Sequence, residues 1–520
     1  MTLISRRNLA IGALGAPALL SLTGRALALG GDQLFTLGVA SGEPAPDGMV
    51  LWTRLAPRPM QGDGGMPVRL VPVRWEIYDD AALRRLVRSG QGIADPALGH
   101  SVHVEVAGLQ PGRPYWYRFI ANGEASPVGR TRTAPAPGAA VDRLRFCYGS
   151  CQKYESGNYA AWRHAVADDP DLILFLGDYI YEGNPKPGGV RMHQNPEPTD
   201  LAGYRVRYAT YRLDPLLQAA HAIAPWAVTW DDHEVQNNYA GAIDEDNGDP
   251  AVFLKRRAAA YQTYFEFMPL RRAARPVGSA MHLFRTLDWG GLAQFQIIDD
   301  RQYRSGRSCQ PPELARDHKR SIDTTPDCAE RSDPARSILG TAQEAWLMDR
   351  LGTSKARWNL LAQQTLMASY PRLDKKDPST PPTFHSSDTW EGYAACRDRV
   401  QRRWQEARTP NPMVISGDIH AFAAAEHRLP DGSKVAAEFV GGSITSQNND
   451  ALLKPAAKLA GFAFAENAVR GYGRIDLTRD RAETVFRGIA DPADAASAAR
   501  DLARFTVEAG RSDIQSDIPG

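Results

Sequence analysis

The 520-residue sequence has no excess of either charge, 61 basic against 60 acidic side chains, and no low-complexity run. Without a net field there is no electrostatic reason to expect a nucleic acid or another polyanion as partner. The one apolar N-terminal stretch is too short and too weak to span a bilayer, and no transmembrane segment is expected in the mature chain. Cysteine is scarce, five residues in all, so disulfides do not build the scaffold. What is present is an ordinary globular composition, 43% hydrophobic and 23% charged, in a chain long enough for two domains and a processed leader.

Residues 1–28 read as an export signal. Arg6 and Arg7 directly precede the moderately apolar "LAIGALGAPALL", and Ala26–Ala28 gives a small-x-small cleavage pattern. The paired arginines point to the twin-arginine translocase, hence to a periplasmic or secreted protein that folds, and takes up any metal, before it crosses the membrane. An odd cysteine count in an exported protein leaves at least one thiol for another use. Cys309 and Cys328, in a polar segment containing proline, could close a loop worth roughly 3 kcal/mol in the chain-entropy model. Cys147 lies inside an apparent strand and reads as inert core, whereas Cys151 follows that strand's end.

Residues 33–133 alternate apolar and polar in short runs separated by glycine, proline and aspartate, as in "MVLWTRL" and "VRWEIY". With the Leu-x-Pro turn of "GLQPGRPYWYRF" they predict an all-β, fibronectin-like sandwich. A Pro/Ala-rich linker is expected over 134–142. From 143 to 490 apolar strands alternate with helical patterns, predicting an α/β sheet structure with flanking helices and function at the carboxyl ends of the strands. Residues 491–520, alanine- and arginine-rich, are expected to form a helical tail.

Four clusters sit at strand ends: Cys151; Gly177-Asp178 with Tyr181; Asp231-Asp232-His233-Glu234 with Asn237 and Asn238; and Gly417-Asp418 with His420. Burying an unpaired carboxylate behind the apolar run "LILFLGDYIYEG" is costly, so a counter-charge is expected beside Asp178. Two metal ions sharing one carboxylate, with further ligands arriving from separate strands, meet that need and can activate water for attack on phosphorus. The glycine before each acid permits close approach where a side chain would crowd the ions.

In combination, "GSCQ", "GDYIYEG", "WDDHEVQNNYAG", "DRQYRS" and "SGDIHAF" resemble the PhoD-like alkaline phosphatases, and "SGEPAPDGMVLWTRL" resembles their N-terminal domain. The resemblance covers nearly all of the mature chain. It implies a metallophosphoesterase-type β-sheet sandwich with flanking helices behind the β-domain, and phosphate ester hydrolysis by a metal-activated hydroxide. It implies Fe3+ with Ca2+, although the residues alone would also accept zinc or manganese. Carried over to this chain, Cys151, Asp178, Tyr181 and His420 become ligands of the iron. Asp178, Asp232, Asn238 and Asp418 serve the second ion, Asn237 being the alternative to Asn238. Asp232 and His233 become the catalytic residues, His233 contacting phosphate or donating a proton, and Cys309–Cys328 the paired cysteines. Arg257, in "FLKRRAAAY", is the arginine assigned to steady the phosphate. A monomer acting on a small-molecule, lipid or polymer phosphate ester is expected, with a phosphodiesterase or phospholipase D-like preference as the alternative. A catalytically dead adhesion protein would not keep Cys151 and His420, and no serine lies within the aspartate–histidine cluster beside a base, which argues against a serine-nucleophile phosphatase.

Overall fold

Leu172–Leu176 and Trp226–Thr229, apolar but for Thr229, and Arg143–Gly149, fully buried from Phe146 on, pair in parallel and set the frame of the protein. Such strands are buried on both faces, which is why they read as continuous apolar runs rather than alternating ones. The computed structural model describes residues 33–374, 376–379 and 382–517. The export signal expected over 1–28 lies outside the described residues. Among the described residues no helix is long and apolar enough to cross a membrane.

The three strands lie at the centre of a ten-stranded sheet, and a second sheet of seven strands packs on one of its faces. Leu144, Phe146, Leu174 and Leu176 of the first sheet meet Phe295, Leu360, Ile415 and Phe439 of the second in one buried layer. The opposite face of the first sheet carries helices, among them Ala160–Ala167 and Pro250–Phe267, packed on Ile173, Phe175, Trp226 and Val228. Asp249 caps the longer helix by accepting the N–H of Ala251, with Pro250 at its first position, so the sequence itself marks where that helix begins. This is the expected α/β architecture, two sheets with helices outside.

The N-terminal β-region is present, but it is built into the larger sheet. Strands Val39–Ala45, Gly48–Arg54 and Ser101–Val106 extend the ten-stranded sheet through the parallel pairing of Gly42 with Trp226. A separate five-stranded sheet covers them, enclosing Leu51, Val73, Ile77, Val104 and Phe119. Residues 134–142, expected as a linker, form neither helix nor strand and are pinned at both ends, by Ala134 N–H on the Ala45 carbonyl and Gly291 N–H on the Ala139 carbonyl.

The helical tail is not formed. Ala499–Glu508 is a strand paired antiparallel with Arg481–Ile489, and Gln515–Asp517 adds the edge. Ala503, Phe505 and Val507 alternate inward, so the period is two. Burial of those side chains against the second sheet outweighs the helix preference of alanine and arginine.

Candidate metal centre

The four strand-end clusters converge. Cys151, Asp178 and the Asp231–Glu234 segment follow three neighbouring strands of the first sheet, and Asp418 and His420 follow Pro412–Ser416 of the second. The turns lock onto one another through the backbone: Cys151 N–H donates to the Gly177 carbonyl at 3.0 Å and Gln152 N–H to the Asp178 carbonyl at 3.1 Å. Gly177 has φ 111°, and a β-carbon there would sit 2.4 Å from that of Asp231; one on Gly417 would sit 2.2 Å from Ser150 Oγ. Both glycines are therefore required by turn-on-turn packing, and not by room around an ion. Cys151, Asp178, Asn238, Asp418 and His420 all adopt left-handed backbone, φ between 51° and 62°. Such conformations cost of order 1–3 kcal/mol each for a residue with a side chain, and they collect where function demands them.

Two groups of ligand atoms lie close enough to hold an ion, Cys151–Asp178–His420 and Asp178–Asp232–His233, and Asp178 belongs to both. Tyr181 closes the first. Its Oη is 2.6 Å from Asp178 Oδ2 and 3.0 Å from His420 Nε2, and it accepts from Ser446 Oγ at 2.8 Å. His420 Nδ1 is 3.1 Å from the Gln447 carbonyl, which only accepts, so Nδ1 carries the hydrogen and Nε2 is the free lone pair facing Tyr181. Burial pushes this histidine down to about 4, keeping it neutral.

The electrostatics fit a cation. Burial drives Cys151, Asp178 and Tyr181 well above their ordinary values, and each is raised further by an acidic neighbour. Asp418 is pushed up to about 8 by burial, against the attraction of Arg301. Asp178 Oδ1 and Asp231 Oδ2 are buried without any hydrogen-bond partner. A multivalent ion reverses this logic, stabilising every anionic form at once and supplying the missing partner.

The second half is organised by Asp232 and Arg301. Asp232 accepts from His233 N–H at 2.8 Å and from Asn238 N–H at 2.6 Å. Burial raises it, but Arg301 and His233 outweigh this and hold it down at about 2. His233 Nδ1 lies 2.6 Å from Glu182 Oε2, and its ring packs 4.1 Å from that of Tyr181. Burial would lower this histidine, yet Glu182, Asp232 and Asp178 together carry it well above the usual value. Asp418 is in neither ligand group. Its Oδ1 is 3.5 Å from Arg301 Nη2, and it lines, with Asn238, a cleft of about 300 Å³. Asn237 turns its side chain to Glu245, away from that cleft.

Arg257 is not in the site. Its guanidinium donates to the Ser279 carbonyl at 3.0 Å and to the Gly241 carbonyl, because the helix face that carries it is buried against the chain. The arginine lining the cleft is Arg372, over the Tyr370 ring at 4.9 Å and 3.9 Å from Asp450. Reading the sequence also missed the supports. Glu182 and Glu234 stood inside quoted motifs, as did Arg301 in "DRQYRS"; Ser446, Asp388 and Arg372 carried no local signal. Arg301 is wholly buried, bonding Asp231 through Nε and Asp388 through Nη1 at 2.9 and 3.0 Å.

The sequence profile of PhoD-like phosphatases matches residues 146–486, and that of their N-terminal domain matches residues 24–135. The chain belongs to the PhoD-like phosphatase family. Alkaline phosphatase D of Bacillus subtilis (strain 168) is 44% identical over 470 residues, 87% of this chain and 77% of that protein. A solved structure of PhoD is 41% identical, with a TM-score of 0.86 over 93% of this chain and 92% of the other. A purple acid phosphatase from yellow lupin seeds, 11% identical over 91% of this chain and 73% of its own, shares the fold at a TM-score of 0.53. As a member of this family the chain is a phosphoric ester hydrolase, and the β-domain in front of the catalytic sheets is the family's N-terminal domain.

Proposed function

We propose that the chain is an exported, metal-dependent alkaline phosphatase whose two cations share Asp178. The observation that carries this reading is the meeting of two ligand groups at one buried carboxylate that keeps an unpartnered oxygen. Cys151, Asp178, Tyr181 and His420 would hold the first ion. Thiolate, phenolate and imidazole suit Fe3+. Asp178, Asp232, Asn238 and Asp418 would hold the second, and an all-oxygen set suits a hard cation such as Ca2+. Bound there, such ions supply an acidified water and neutralise charge on the phosphoryl oxygens.

The side chains of the protein divide the remaining work. Glu182 grips His233 Nδ1 and leaves Nε2 as the nitrogen that contacts phosphate and delivers a proton to the leaving alkoxide. The Tyr181 ring packs against that imidazole, and the Asp232 carboxylate fixes the backbone beneath it by accepting the His233 N–H. Arg301 and Arg304, both buried on Asp388, balance negative charge behind the cleft. Arg372 meets the substrate at its open side. Export through the twin-arginine route is supported by residues 1–28 and by the Cys309–Cys328 disulfide, a bond that persists in oxidising compartments. The test is elemental analysis combined with rates on a chromogenic phosphomonoester and phosphodiester, before and after chelation. The reading expects iron with a second metal, a faster monoester reaction and loss of both on chelation. Full turnover in metal-free protein would overturn it, and a faster diester reaction would assign the alternative preference.

A further inference from the structure

Every polar group of Asn238 but one is already engaged. Its backbone N–H donates to Asp232 Oδ2 at 2.6 Å, and its carbonyl accepts from Arg304 Nη2 at 3.0 Å. Its side-chain Nδ2 donates to Asp323 Oδ1 at 2.8 Å. Only the amide oxygen has no bond within the described residues, on a residue that lines the same cleft as Asp418. An ionised carboxylate offers acceptors and no donor, so the amide cannot turn over without setting oxygen against oxygen.

Asp323 is itself held. The same Oδ1 accepts from Arg307 Nη2 at 2.7 Å, and the buried Arg307 also donates to Ser387 Oγ at 3.0 Å. The Asp323 backbone carbonyl accepts Ser387 N–H at 2.9 Å, and Thr324–Pro326 pairs with Phe384–Ser386. Asp323 and the strand Thr324–Pro326 lie inside the loop closed by the Cys309–Cys328 disulfide.

We propose that Asp323 is a positioning residue: it fixes the Asn238 amide so that the oxygen, not the nitrogen, is presented to a hard divalent cation, which makes the disulfide-closed loop part of that cation's site. The inference rests on Asn238 being a ligand of the second cation. A neutral Asp323→Asn side chain keeps the shape but can donate as well as accept, so the Asn238 amide regains both orientations.

The experiment is calcium titration by calorimetry on the mature protein, stripped of weakly held cations with a calcium chelator, while iron content and visible absorption report the first site. Asp323→Asn is expected to weaken calcium by about ten-fold, and by less than about two-fold in an Asn238→Ala background, since residues acting through one another are not additive. Iron content and melting temperature are expected to stay unchanged. Equal losses in both backgrounds would mean that Asp323 acts by charge alone, and the proposal fails. An unaltered calcium affinity in Asp323→Asn, with Asn238→Ala weakened, overturns the orientation role only. An unaltered affinity in Asn238→Ala removes the ligand reading beneath it as well.

Discussion

The carboxylate of Glu234 accepts the backbone N–H of Asp178 at 3.1 Å, tying the turn that carries the shared carboxylate to the turn after the neighbouring strand. It also accepts the N–H groups of Tyr179 and Asp231, the latter at 2.8 Å. Glu234→Ala leaves three buried amides without an acceptor, at roughly 1–3 kcal/mol each. We expect a lower melting temperature together with a loss of bound iron, and a smaller effect for Glu234→Gln. Normal iron content in the alanine variant would show that the Asp178 turn holds its left-handed backbone unaided.

Asp178→Asn removes the carboxylate common to both ligand groups. On the proposed reading activity is expected to fall by at least about a thousand-fold, because no other side chain would serve both ions. Thiolate or phenolate on ferric iron gives a visible charge-transfer colour, and that band should fade in the same variant. Full turnover by Asp178→Asn would end the shared-carboxylate assignment.

Arg257 and Arg372 are expected to separate cleanly. Arg257→Ala loses two bonds to backbone carbonyls and should lower the melting temperature with KM unchanged. Arg372→Gln should leave the melting temperature alone and raise KM by about ten-fold, some 1.4 kcal/mol of binding. Steady-state kinetics beside thermal melts decide the pair.

His103 predicts a pH dependence of stability away from the metal centre. Its ring stacks on Phe265 at 4.4 Å, its Nδ1 donates to the Leu270 carbonyl at 3.1 Å, and Nε2 is buried without a partner. Burial pushes it down to about 4, so between about 6.5 and 4 the unfolded chain binds the extra proton and the folded chain does not. Its contribution is present above about 6.5 and is lost as pH falls towards 4, by up to about 3 kcal/mol. Thermal melts of the wild type and His103→Gln across that range should differ in slope; parallel curves would remove His103 as the cause.

Much of the site was legible because its chemistry is carried by short segments at the ends of apolar strands. "GDYIYEG", "DDHE" and "SGDIH" each place their polar residues just past a run that must be buried, and the sheet order does the rest. Arg257 was misassigned for the same local reason: an arginine on a helix announces a charge but not the direction in which it points. The tail was misread because alanine and arginine favour helix, whereas the alternation of Ala503, Phe505 and Val507 has meaning only beside a sheet edge that can bury it.

Composition, the strand runs and the order of the motifs determined the fold class, the family and the kinds of ligand available. Only the folded chain decided which atoms face one another. It brought Cys151 and His420 to the Asp178–Tyr181 pair across sequence separations no pattern spans, and it turned Asn238 to the cleft and Asn237 away. It also placed Arg301 beneath three aspartates that the sequence scatters over nearly two hundred positions. The physical reason is range: local propensity and burial act along a few neighbouring residues, whereas orientation of a ligand is set by hydrogen bonds from whatever segment the tertiary packing lays beside it.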